Sequence, residues 1–93
     1  WVDVPEWELA FAVRQDAEGK TPVAHFTLPH AGTVRIEWLD VAGRRTGAVS
    51  SGLLPAGSHT MRLDRLADSP SGIYWARIEF GGQRKQARVV LLH

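Results

Sequence analysis

Apolar and polar residues alternate one for one along most of this chain, and the alternation breaks at clusters of Gly, Pro and acidic residues. In WELAFAVR, Trp7 to Arg14, the side chains of Trp7, Leu9, Phe11 and Val13 fall on one side and those of Glu8, Ala10, Ala12 and Arg14 on the other. A period of two is that of a strand with one buried face. DAEGK, Asp16 to Lys20, has the composition of a turn. VAHFTL, Val23 to Leu28, then resumes the pattern with Ala24, Phe26 and Leu28 together, bracketed by Pro22 and Pro29. Beyond HAG, His30 to Gly32, the segment TVRIEWLD sets Val34, Ile36 and Trp38 against Arg35 and Glu37, the cleanest alternation in the chain.

The second half repeats the theme. DVAGRR, Asp40 to Arg45, is read as a corner, and RTGAVSSG, Arg45 to Gly52, alternates weakly enough to predict a short, poorly buried edge strand. LLPAG, Leu53 to Gly57, is a turn built on Pro55 and Gly57. SHTMRLD places His59, Met61 and Leu63 opposite Thr60 and Arg62, and RLADSPSG, Arg65 to Gly72, reads as a loop. In YWARIEF, a central strand candidate, Tyr74, Ala76, Ile78 and Phe80 face away from Trp75, Arg77 and Glu79. Gly81 and Gly82 supply a tight hairpin turn before the last strand, QRKQARVVLLH. Seven short strands separated by turns about 8 to 12 residues apart, with no sustained helical period, predict an all-β sandwich. Its predicted core is Trp7, Leu9, Phe11, Phe26, Leu28, Val34, Ile36, Trp38, Met61, Leu63, Tyr74, Ile78, Val89 and Leu91.

Ninety-three residues fit one such domain over residues 7–93, with residues 1–6 as an extended segment or linker. Hydrophobic residues at 44% and charged residues at 23% are ordinary globular values. Eleven basic against ten acidic residues give a net charge of +1, too little for sequence-independent nucleic-acid binding. With no cysteine there are neither disulfides nor thiolate metal sites. No apolar run approaches the roughly 20 residues of a membrane-spanning helix, so no membrane insertion is expected. A chain beginning at Trp1 rather than Met is expected to be a processed product or a piece of a longer protein.

Three blocks in order, TPVAHFTLPHAGTVRIEWLDVAGRR, LLPAGSHTMRLD and SGIYWARIEFGGQRKQARVVLL, resemble the C-terminal Ig-like domains of secreted bacterial proteins. This group includes type IX secretion sorting domains and the Ig-like domain of flagellar hook-capping proteins. The resemblance covers about residues 21–92 and rests on Leu28 and Pro29, on Asp40, Gly43 and Arg44, on Leu54, Pro55 and Gly57, and on Ser71, Gly72 and Tyr74. It implies a seven-stranded antiparallel Ig-like, fibronectin-III-like sandwich without catalytic activity or cofactor. It also implies an extracellular or cell-envelope location at the C-terminus of an exported protein, in secretion, anchoring or protein contact. The chain departs from the sorting version in lacking an opening Asn-Pro step and a basic tail.

No set of residues makes a catalytic or metal site. DVAGRR lacks the helix whose N–H groups would hold a phosphate; Asp40 is instead expected to bond the turn backbone, with Gly43 supplying the conformation and Arg44 and Arg45 starting the return strand. His25, His30, His59 and His93 have no ligand spacing. Ser58 and His59 are neighbours on opposite faces of a strand, which rules out a triad with Asp64, and Asp64 with Asp68 offers too few oxygens for calcium. Glu37 and Glu79 lie on polar strand faces with no cleft for a carboxylate pair. Trp75, outward beside Arg77, is open to packing on a partner or stacking on a sugar, while Lys85 and Arg88 alternate onto different faces and form no stripe.

WVDVPEW, with Trp1, Val2, Val4 and Trp7, suits either addition of a strand to an exposed sheet edge or a linker from an upstream domain. The expected partners are therefore proteins: an upstream domain, secretion machinery or copies of the chain itself. Two alternatives stand beside the accessory reading. One is a self-assembling subunit of an extracellular filament or cap that uses the amino-terminal segment, and the other is a carbohydrate-binding accessory module.

Overall fold

The computed structural model describes residues 9–15 and 21–92; the expected turn at Asp16 to Lys20 and the expected contacts of Trp1, Val2, Val4 and Trp7 lie outside these. Among the described residues the chain forms β1 (Ala10–Gln15), β2 (Pro22–Leu28), β3 (Arg35–Leu39), β4 (Arg45–Ser50), β5 (Gly57–Arg62), α1 (Asp64–Ala67), β6 (Gly72–Phe80) and β7 (Gln83–Leu91). Every strand pairing is antiparallel. The strands form two sheets, one of three strands in the order β1-β2-β5 and one of four in the order β4-β3-β6-β7, consistent with a β-sandwich. No described helix is long and apolar enough to cross a membrane.

The alternating residues explain why the sheets stack. Ala24, Phe26 and Leu28 of β2 are buried, as are Ile36 and Trp38 of β3, Tyr74, Ala76, Ile78 and Phe80 of β6, and Val89 and Leu91 of β7. Directly opposed residues of an antiparallel pair share a face. The pairs Ile36↔Ile78, Trp38↔Ala76 and Tyr74↔Val89 therefore carry one apolar layer across the four-stranded sheet. Phe11↔Phe26 and Ala24↔Met61 carry the facing layer, with Phe11, Val13 and Met61 only half-buried at its margin.

Small residues let aromatic rings into this core. A Cβ on Gly47 would stand 2.5 Å from the Trp38 ring, and one on Gly32 would stand 2.7 Å from that of Phe80. Gly32 also exchanges two backbone hydrogen bonds with Leu54, pinning the β2–β3 connection to the β4–β5 connection. The corner at Asp40 is closed by five hydrogen bonds, one of them from the Asp40 N–H to the Arg44 carbonyl. The Asp40 Oδ1 accepts the backbone N–H of Ala42 and of Arg44, its Oδ2 accepts Arg44 Nε, and Gly43 N–H bonds its carbonyl with Gly43 at φ +82°. The N–H of Arg44 does most to hold the Asp40 carboxyl below its ordinary range; desolvation opposes this, and the Ala42 N–H and the Arg44 guanidinium add to it.

The structure departs from the sequence reading between Asp64 and Gly72. The pattern predicts a strand through Asp64 and a loop from Arg65 to Gly72; instead β5 ends at Arg62, Asp64–Ala67 form a single helical turn and Gly72 already belongs to β6. One turn is too short to show a helical period, and its only large apolar residue, Leu66, is fully buried in the core. Gly57, expected to end a turn, starts β5 at φ +117°, and Pro22 is the first residue of β2, where no N–H is required.

Candidate interaction face of the four-stranded sheet

One strand face carries most of the unusual chemistry: the side of β4-β3-β6-β7 that points away from the core. Alternation puts Arg35, Glu37 and Leu39 of β3 there, with Ile73, Trp75, Arg77 and Glu79 of β6 and Arg84, Gln86, Arg88 and Val90 of β7. The pairs Leu39↔Trp75, Trp75↔Arg88 and Ile73↔Val90 place aliphatic, aromatic and cationic groups side by side. Trp75, Ile73 and Val90 remain 37%, 42% and 43% exposed and form a contiguous apolar strip beside the arginines.

Glu37 anchors the other end. It is only 5% exposed although its strand face looks outward, because three guanidinium groups close over it. Arg77 donates its Nε–H to Glu37 Oε1 at 2.8 Å and an Nη2–H to the same oxygen; Arg45 lies 3.6 Å and Arg35 3.9 Å from Oε2. Arg45 reaches this face through a bulge in the β3–β4 pairing between Trp38 and Leu39, which sets Arg45 rather than Thr46 opposite Leu39. Burial pushes the Glu37 carboxyl up; the Arg77 hydrogen bonds, the Arg77 charge and then Arg35 and Arg45 outweigh it, leaving the group below its ordinary value of 4.5.

A carboxyl held low in the folded state adds stability above its unfolded value, and this contribution is lost as pH falls through the folded one. Arg77→Met leaves burial opposed only by the more distant Arg35 and Arg45. A loss of ~2 kcal/mol is expected at neutral pH, less than the ~3–5 for a buried ion stripped of every partner. Urea unfolding across pH should show the gap between variant and parent shrinking as the solution is acidified below about pH 4.5. A gap independent of pH would mean that Arg77 acts by packing alone.

Five arginines (Arg35, Arg45, Arg77, Arg84 and Arg88) thus face outward with two carboxylates, Glu37 and Glu79, although the whole chain is nearly neutral. Arg84 bonds Glu79 at 3.3 Å, and Arg88 stands beside Trp75. At the hairpin end the face opens into a groove of about 430 Å³ lined by Arg35, Ser50, Glu79 and Arg84. Sequence reasoning placed Trp75 and Arg77 together but missed this basic cluster. Its members come from four strands, and only cross-strand register, not spacing along one strand, assembles them.

The remaining sequence candidates are scattered. His25 is exposed on the outer side of the three-stranded sheet, His30 packs on Phe80 with ring centres 4.9 Å apart, and His59 turns inward against Phe26 with a ring nitrogen 2.6 Å from the Pro55 carbonyl. His93 lies outside the described residues. Ser58 Oγ pairs with Thr27 Oγ1 at 3.4 Å, away from His59, and Asp64 faces Arg62. Gly81 and Gly82 turn β6 into β7 with φ of +54° and +81°. Lys85 sits opposite Ile78, off the basic face. No protein-family model and no curated protein matches the chain.

Proposed function

We propose that the chain is a non-catalytic contact module, an Ig-like, fibronectin-III-like sandwich working at the C-terminus of an exported or envelope-associated bacterial protein. Three things support the topology within that reading: the ordered sequence blocks, the β4-β3-β6-β7 order, and the Tyr74 hydroxyl. This hydroxyl donates back to the Pro70 carbonyl at 2.7 Å across the β5–β6 connection, the clasp known as a tyrosine corner in Ig-like sandwiches. The observation that carries the contact function is the outer face of the four-stranded sheet, where a half-exposed Trp75 lies between Leu39 and Arg88. Tryptophan and arginine are the residues most often found at the energetic centre of protein interfaces. The aliphatic neighbours Ile73, Leu39 and Val90 suit a protein surface better than a sugar, which favours paired aromatic platforms.

A photo-crosslinking side chain at position 75, compared with one at Thr60 on the outside of the other sheet, tests this in the protein's own cells. A discrete protein adduct is expected from position 75 alone. Equal labelling from both positions, or none, would overturn the reading.

A further inference from the structure

The contact face has a composition that narrows its partner. It is cationic through Arg35, Arg45, Arg84 and Arg88, each with an exposed guanidinium or side chain, and apolar through Ile73, Trp75 and Val90. A complementary ligand is extended, anionic and interspersed with large apolar groups. The chain contains such a segment: WVDVPEWE, residues 1–8, carries Asp3, Glu6 and Glu8 among Trp1, Val2, Val4 and Trp7, with no cation in its side chains. It is the one stretch of the sequence in which three acidic and four large apolar side chains fall within eight positions.

We infer that the outer face of the four-stranded sheet docks residues 1–8 of a second copy of the chain, carboxylates on the arginines and Trp and Val side chains on the Trp75 strip. This rests on the contact-module reading and names its partner. Charge complementarity selects the acidic segment. Eight extended residues span up to about 26 Å, enough to cross four strands spaced about 4.8 Å apart. Docking on a face, unlike addition to an edge, uses side chains rather than backbone groups for recognition. It is therefore sensitive to charge reversal and to salt.

A fluorescein-labelled peptide WVDVPEWE, titrated into the full chain and followed by anisotropy, tests it, with sedimentation of the unlabelled chain over a concentration series. Saturable binding is expected, weakening with added salt and falling by about tenfold or more in Trp75→Ser and in Arg84→Glu with Arg88→Glu, both at exposed positions that leave Glu37 and Arg77 in place. A peptide with Asp3, Glu6 and Glu8 reversed to Lys should prefer the Arg84→Glu, Arg88→Glu protein over the parent. The chain alone should associate with rising concentration, and Trp75→Ser should reduce that association. Binding indifferent to these substitutions, or no binding at millimolar protein, would overturn the inference. So would a chain that stays monomeric and takes up peptide only after its own residues 3, 6 and 8 are reversed, since the segment would then occupy its own sheet. Adducts from position 75 to unrelated proteins without peptide binding would sink this inference and leave the contact-module reading standing; absence of both would sink both.

Discussion

Trp38→Ala is expected to destabilise the fold by ~3–5 kcal/mol, a large share of the ~5–15 kcal/mol that holds a domain of this size together. The indole is 2% exposed and reaches from the end of β3 to the backbone of β4, touching space shared with Val49 and Leu63. Truncation removes the largest side chain of its layer, and the neighbours cannot refill the gap. Opposite it stands Gly47, which has no side chain to move, and beside it Ala76, which has only a methyl. The cost is thus the transfer free energy of the ring plus a cavity that persists. Guanidinium unfolding should show a lower midpoint at an unchanged slope, and heating a fall in Tm of more than about 12 °C. A midpoint within error of the parent would mean that the apolar face of β3 has been assigned to the wrong side.

Gly47→Ala should destabilise the fold through the same contact. In strands, Ala is slightly favoured over Gly, so on an unencumbered edge strand this substitution would be neutral or mildly stabilising. Here the added Cβ would meet three indole atoms at 2.5 to 2.7 Å, against a ring that is itself buried. Either β4 shifts outward and loosens its pairing with β3, or Trp38 leaves its rotamer; overpacking of this kind costs ~1–3 kcal/mol. The two changes are coupled through one contact. In a Trp38→Leu background the penalty at Gly47 should largely vanish, and a double-mutant cycle measures the difference. Equal penalties in both backgrounds would show that Gly47 is required for its backbone and not for the ring above it.

How far the residues alone announce this molecule depends on whether the relevant pattern is local. Strand order cannot be read from alternation, yet alternation assigns Val34, Ile36, Trp38, Tyr74 and Ile78 to the buried side, where the structure has them. Leu66 escaped because a lone Leu among Arg, Asp and Ser looks like loop; it is buried because the helical turn after β5 packs against β2. Alternation puts Glu37 on the correct face and is silent about what surrounds it there. Strand period says only that a carboxylate points outward, whereas its burial depends on Arg77, 40 positions away, and on a bulge that redirects Arg45. The basic face was missed for the same reason: Arg88 and Trp75 are 13 positions apart in sequence and adjacent only once β6 and β7 pair.

The margins of the four-stranded sheet restrict how another molecule can approach it. On one flank Gln15 of β1 caps the β7 carbonyl of Val90 through its side-chain amide, at 3.2 Å, so an incoming strand meets a neighbour already in place. On the other, β4 is kinked at its start by the Trp38–Leu39 bulge and presents Arg45 there, a poor template for continuing a ladder. One rim therefore carries a side-chain cap and the other a kink, so an extended chain finds fewer free backbone groups at these edges than the length of β7 and β4 suggests, and the broad face with its guanidinium and indole groups is left as the open surface.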